Sequence, residues 1–196
     1  MNRHRPGLAT GALAVVAFLV AACGANATPP PTQPPASQHA EDLAATIPTM
    51  IGDVALTVRS GDLASLKDDI PDYDQLVAAL NNASIQPSDV IGAVGTPTAG
   101  GTEPRVSGLR IVQAPPGGIG MLGWVTVWAQ SIPGATLTGT NLAGKPVTAV
   151  TFSDGTTPLY YYLYDANPLD NDPADTLYFV RSADEATATS AFQQLP

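Results

Sequence analysis

Residues 165–175, DANPLDNDPAD, gather Asp165, Asn167, Asp170, Asn171, Asp172 and Asp175 within eleven positions. Such side chains are hard oxygen donors, and calcium takes about six to eight of them in a tolerant shell. Asp165, Asn167, Asp170, Asp172 and Asp175 are therefore the candidate calcium ligands. The pattern departs from an EF-hand loop: Leu169 stands at the fifth position, Asp170 where glycine is needed, and no glutamate closes the loop. Asn, Asp and Pro also build ordinary hairpin loops, because Asn and Asp bond their own backbone, so both readings stand. Just before this stretch, alternation in LYYYLY (159–164) puts Tyr160, Tyr162 and Tyr164 on one side and Leu159, Tyr161 and Leu163 on the other. With the leucines inward, the three tyrosines form an outward row, a surface of rings and hydroxyls suited to a protein or small ligand. The alternative is a row that helices cover, since aromatic residues favour strands in any setting.

What is missing constrains the chemistry further. The histidines are His4 and His39 and the single cysteine is Cys23, so residues 41–196 contain neither type. Nucleophilic Ser-His-Asp and Cys-His catalysis needs an imidazole base, and zinc and copper sites need imidazole or thiolate. The expectation is a domain that is not an enzyme and holds no cofactor. Gly139 to Lys145 satisfies G-x-x-x-x-G-K, but Pro146 and a β-branched run follow where a phosphate-binding helix would have to start. That segment reads as a loop ending in a tight turn before a strand. Paired carboxylates could cleave a glycoside without histidine. The glutamates after residue 40 are Glu41, Glu103 and Glu185, and nothing in their spacing marks a pair.

The N-terminus bears on location. Residues 1–11 carry Arg3 and Arg5 and no acid, and residues 12–22 are uncharged and small or apolar. A membrane-spanning helix needs about 20 apolar residues; a basic start and a short apolar run ending in small residues are the parts of a secretory signal peptide. Val20-Ala21-Ala22-Cys23 resembles the lipobox of bacterial lipoproteins. That resemblance implies diacylglycerol on the Cys23 sulfur, cleavage before Cys23, and acylation of the new N-terminus. The implied location is the extracytoplasmic face of the cell membrane, with the membrane itself the partner of the Cys23 anchor. Two or three acyl chains hold stably where one binds marginally. Cleavage removes Arg3 and Arg5, leaving 17 acids against six of the eight bases, a formal charge near −11. Such a chain is no partner for nucleic acid, whose binding is driven by Lys and Arg neutralising phosphates.

The elements that must position these residues follow from composition and period. Residues 1–22 are the signal peptide, and residues 23–40 are the lipidated cysteine with a Pro-rich tether, reaching roughly 50 Å if extended. Residues 41–196 are enough for one domain with its own core. Strands are expected at 54–59, 90–95, 105–113, 147–153, 158–164 and 176–182. Asp154-Gly155 is a hairpin signal. Helices are expected after Asp72, which with Gln75 forms a capping box, across 119–132, and after Ser182, which with Glu185 forms another. Their apolar stripes are Tyr73, Leu76, Val77 and Leu80; Ile119, Leu122, Val125, Trp128 and Ile132; and Ala188, Ala191, Phe192 and Leu195. Short connections make the late strands antiparallel. The fold class is α+β, a mainly antiparallel sheet with about three helices on one face.

The segments IGDVALTV, VSGLRIVQA, GKPVTAV and YFVRSADEATATSAFQQLP resemble a domain type of exported proteins in high-GC bacteria. The resemblance supports the domain boundaries and implies no activity. Three functions remain in view. The first is a lipid-anchored, non-catalytic domain that binds an envelope protein or small ligand. The second is a lipid or glycolipid carrier with a cavity near Trp124, and the third a histidine-free carboxylate hydrolase.

Overall fold

A computed structural model describes residues 36–70, 72–112, 121–165 and 176–196. Eight strands form one sheet: β1 (Met50–Ile51), β2 (Val54–Asp62), β3 (Val90–Pro97), β4 (Arg105–Ile111), β5 (Ala135–Leu142), β6 (Lys145–Phe152), β7 (Leu159–Tyr164) and β8 (Thr176–Arg181). Four helices accompany them: α1 (Ala36–Ala44), α2 (Tyr73–Asn82), α3 (Met121–Ser131) and α4 (Glu185–Gln194). The strand order is β1-β2-β3-β4-β8-β7-β6-β5, and every neighbouring pair is antiparallel. Two four-stranded meanders thus lie side by side and join where β4 meets β8. The chain crosses from the middle of the sheet to its far edge through α3, then works back inward.

The expected α+β class and antiparallel pairing hold, but the helices are not gathered on one face. Residues of α2 and α3 (Leu76, Leu80, Trp124, Val125) pack with Leu109, Val150, Leu159, Leu177 and Phe179. Residues of α1 and α4 (Leu43, Ala188, Phe192) pack with Leu56, Val106, Val147, Tyr178 and Val180. Neighbours along a strand point to opposite faces, so Phe179 and Val180 serve different cores. The central strands explain the arrangement. All but one residue of β3 and of β8 is buried, whichever way it points, and a sheet buried on both sides needs cover on both. The sheet is strongly curled, and α4 touches β1 at one edge and β5 at the other as well as β8. It therefore lies within the curl.

The first helix corrects the tether boundary. α1 starts at Ala36 and buries Ala40 and Leu43, so the limit placed between residues 40 and 41 falls inside a packed helix. It also brings His39 into the folded unit, half-buried and with Nε2 lacking a hydrogen-bond partner among the described residues. The domain is therefore not free of histidine. No group of three or more His, Cys, Asp or Glu side chains suited to a metal occurs among the described residues. The seat of α1 and the turn that follows it is made by glycine. A Cβ on Gly108 would lie 3.0 Å from Leu43 Cδ1, and one on Gly95 would lie 3.0 Å from Ile47 Cγ2. The close approach requires the bare backbone.

Two strands were not expected. β1 has two residues, too few for any period. β5 takes in Gly139, Thr140, Asn141 and Leu142, read above as loop, and pairs through Leu142↔Lys145 across the two-residue turn Ala143-Gly144. Both turn residues have positive φ, 55° and 81°, the type I′ geometry that matches strand twist. The Asn141 side chain accepts from Gly144 N–H at 3.1 Å.

The capping boxes are also revised. Asp72 has φ 56° and ψ 32° and makes no cap bond, because a cap needs extended backbone to turn its side chain onto the helix amides. At the last helix the cap is Asp184, two residues beyond Ser182; it accepts from Thr187 N–H at 2.7 Å and from the Thr187 hydroxyl at 2.9 Å. These bonds, the backbone one first, hold the Asp184 carboxyl below the usual aspartate range. A depressed folded-state value contributes stability that is present above the ordinary aspartate value and lost as pH falls through the folded one. Asp184→Ala should lower Tm by about 2–4 °C at neutral pH. The gap from wild type should close in thermal melts as pH drops below about 4. An equal gap at pH 7 and pH 2.5 would remove the charge from the explanation.

Candidate functional site

The site forms where the two meanders meet. On β4, Arg105, Ser107 and Leu109 share one parity; on β8, Leu177, Phe179 and Arg181 do so, and that parity faces α2 and α3. The register sets Arg105 directly opposite Arg181, which on its other side is opposite Leu159 of β7. Ile70 ends the 3-10 turn Ala64–Asp69, α2 contributes Leu76, and α3 contributes Trp128. Together these residues line a cleft open to solvent, with an enclosed volume of about 40 Å³. Most of its lining residues are apolar; those that carry polar side-chain groups are Arg105, Arg181, Ser107 and Trp128.

The aromatic packing fixes Trp128. Its ring meets Phe179 edge-on, with centroids 5.4 Å apart at 83°, and Tyr161 lies 6.5 Å from Phe179 on the same face. Trp128 is 4% exposed. The arginines are held by their far ends: Arg105 Nη1 donates to the Asp69 carbonyl at 2.8 Å, and Arg181 Nη2 donates to Asp72 Oδ2 at 3.4 Å. Asp69 gives its carboxylate to Arg59, at 2.6 Å. Among the described residues no carboxylate lies within ion-pair distance of Arg105. Burial, and then the charge of Arg181, lower the Arg105 pKa, opposed by Asp69 and Glu103. A guanidinium stays charged regardless.

Four buried side-chain nitrogen or oxygen atoms lack a hydrogen-bond partner among the described residues, and three belong to this cleft: Arg105 Nε, Arg181 Nε and Trp128 Nε1. Folded proteins pair nearly all such groups, and an unpaired buried donor costs about 1–3 kcal/mol. Their concentration at one cleft makes it the candidate site. The lining combines side chains that can donate hydrogen bonds with side chains that offer apolar surface.

The sequence-derived candidates lie elsewhere. Tyr160, Tyr162 and Tyr164 share a face, as alternation requires, but that face lies on the side of the core that includes α1 and α4, with Tyr160 buried and Tyr162 and Tyr164 half-buried. Tyr160 is 7% exposed; Tyr162 meets Phe192 edge-on at 6.4 Å and carries Lys145 Nζ 5.9 Å from its ring centre; Tyr164 packs 6.3 Å from Tyr178. Burial raises the pKa of Tyr160, with Glu185 and Asp184 adding to it, and raises that of Tyr162, with Tyr164 adding. Asp165, half-buried, follows the end of β7. Asn167, Asp170, Asp172 and Asp175, with Cys23, lie outside the described residues. Trp124 is buried in the core and does not line the cleft. Arg105 and Arg181 were missed. The available signal was a charge at an apolar parity position, in RVSGLRI and in TLYFVR.

Comparison with family models, curated proteins and solved structures gives no match.

Proposed function

We propose that this chain is a lipid-anchored, non-catalytic binding domain at the extracytoplasmic face of the cell membrane, and that it takes a small ligand in the cleft beneath α2 and α3. The observation that carries the ligand half is the set of three unpartnered donors around one apolar cleft. The anchor half rests on Val20-Ala21-Ala22-Cys23. The cleft favours a small-molecule occupant over a protein bound by the tyrosine row, because Tyr160 is buried and Tyr162 and Tyr164 are half-buried in the core on that side of the sheet. Its apolar lining also favours the carrier form of this reading, with an amphiphile as cargo. Among the described residues no carboxylate lines the cleft, so the hydrolase reading draws no support from paired acids there.

The anchor is tested by Cys23→Ser. The native chain should sediment with membranes and take up labelled palmitate, while the variant should appear in the medium or soluble fraction without label. Equal sedimentation of the two would remove the anchor from the proposal, whatever the cleft binds.

A further inference from the structure

We infer that the cleft is built for an amphiphile with one anionic head, a carboxylate or phosphate, gripped by Arg105, Arg181 and the Trp128 indole N–H. This inference rests on the reading of the cleft as a ligand site and goes beyond it to the ligand's chemical class.

Three observations carry it. First, the unpartnered groups are all donors: two guanidinium Nε–H and one indole N–H. A carboxylate or phosphate oxygen is an acceptor that asks for no donation in return. A sugar head brings hydroxyl protons as well, and among the described residues of the lining Ser107 alone has a side-chain acceptor. Second, two like charges stand directly opposite across neighbouring strands, Arg105↔Arg181, a pairing that destabilises a sheet unless something neutralises it. Among the described residues, Asp72 reaches Arg181 at 3.4 Å, and Arg105 has only the charges of Asp69, itself paired with Arg59, and Glu103, neither within ion-pair distance. An anion between the two guanidiniums supplies what is lacking, by charge-assisted bonds. Third, the remaining lining is Ile70, Leu76, Leu109, Leu159 and Phe179, which suits an alkyl tail and would be wasted on a free ion. The chain as a whole is acidic, with formal charge −9, so general attraction of anions does not account for such a site; only the local pair of arginines does.

The test uses the chain carrying Cys23→Ser, so that detergent is not needed. Decanoate, decyl phosphate, decanol, acetate and inorganic phosphate are each titrated below the micellar range, by calorimetry and by fluorescence of the two tryptophans. Decanoate or decyl phosphate should bind at least about tenfold more tightly than decanol, and acetate and inorganic phosphate far more weakly than either. Arg105→Gln and Arg181→Gln should each weaken the anionic amphiphile about tenfold while leaving decanol unchanged. Retained decanol binding shows that each variant keeps its cleft. Trp128→Phe, which keeps a ring and loses the N–H, should act in the same direction with a smaller effect. If decanol binds as well as decanoate and decyl phosphate, or if the arginine variants keep the anion preference, the anionic head is wrong while the cleft remains a ligand site. Equal affinity for inorganic phosphate and decyl phosphate rejects the amphiphile. No binding by any probe at millimolar concentration rejects the ligand site itself.

Discussion

Phe192→Ala should destabilise the domain by about 3–5 kcal/mol, the range for truncating a fully buried phenylalanine. The ring is completely enclosed, and the helix that carries it lies within the curl of the sheet. α4 reaches β1, β8 and β5, and Phe192 meets Tyr162 edge-on at 6.4 Å. Truncation loses the transfer free energy of the ring and leaves a hole that the surroundings cannot readily close. A curled sheet has few ways to collapse onto a smaller plug, because its strands are fixed by their ladders on either side. Urea unfolding should show the midpoint falling with the slope unchanged, the sign of lost stability in a domain that still unfolds as one. A loss under about 1 kcal/mol would mean that α4 sits loosely and does not hold the curl.

Much of this architecture was written in the local pattern. Six strands follow from alternation and β-branching, and the stripe Ala188, Ala191, Phe192 and Leu195 is buried as its period requires. What was not legible is what depends on distant neighbours. Alternation gives the side to which Tyr160, Tyr162 and Tyr164 point, but whether that side meets water or α4 is settled by a helix some 25 residues later. The division of helices between faces depends on which way each connection crosses the sheet, and no local period encodes that. α1 was hidden by its surroundings: PPASQHAEDLAA begins as a Pro-rich tether would, and its apolar positions Ala40 and Leu43 are too few to outweigh that composition. β5 was hidden by Gly139 and by alternating threonines on an exposed edge.

The cleft shows the same limit most clearly. Arg105 and Arg181 each occupy an apolar parity position, which is visible in RVSGLRI and TLYFVR separately. That the two stand opposite each other follows only from β4 pairing with β8, across the whole second meander. A charge at the end of one apolar strand is unremarkable, since it can reach water. Two such charges side by side, with their Nε atoms buried, mark a candidate site.

Trp124→Ala should cost a similar amount, about 3–5 kcal/mol, but from the other side of the sheet. Trp124 is fully buried with Leu76, Leu80, Val150 and Leu177 beneath α2 and α3, whereas Phe192 belongs to the core under α1 and α4. The two share no core, so their effects should add to within about 0.5 kcal/mol. The sum, roughly 6–10 kcal/mol, is comparable with the whole stability of an ordinary domain, about 5–15 kcal/mol. The double variant should therefore lose its cooperative urea transition at room temperature while each single variant keeps one. Strong sub-additivity would mean that either truncation already frees both faces, and that the sheet does not carry two independent cores. Trp124→Phe separates volume from the other contacts of the indole: it keeps a ring in the space and should recover most of the loss. Because Trp124 does not line the cleft, that milder variant should also bind decanoate with affinity within about twofold of the parent. A change of tenfold or more would mean that α3 transmits core packing to the cleft through Trp128, one helical turn further on.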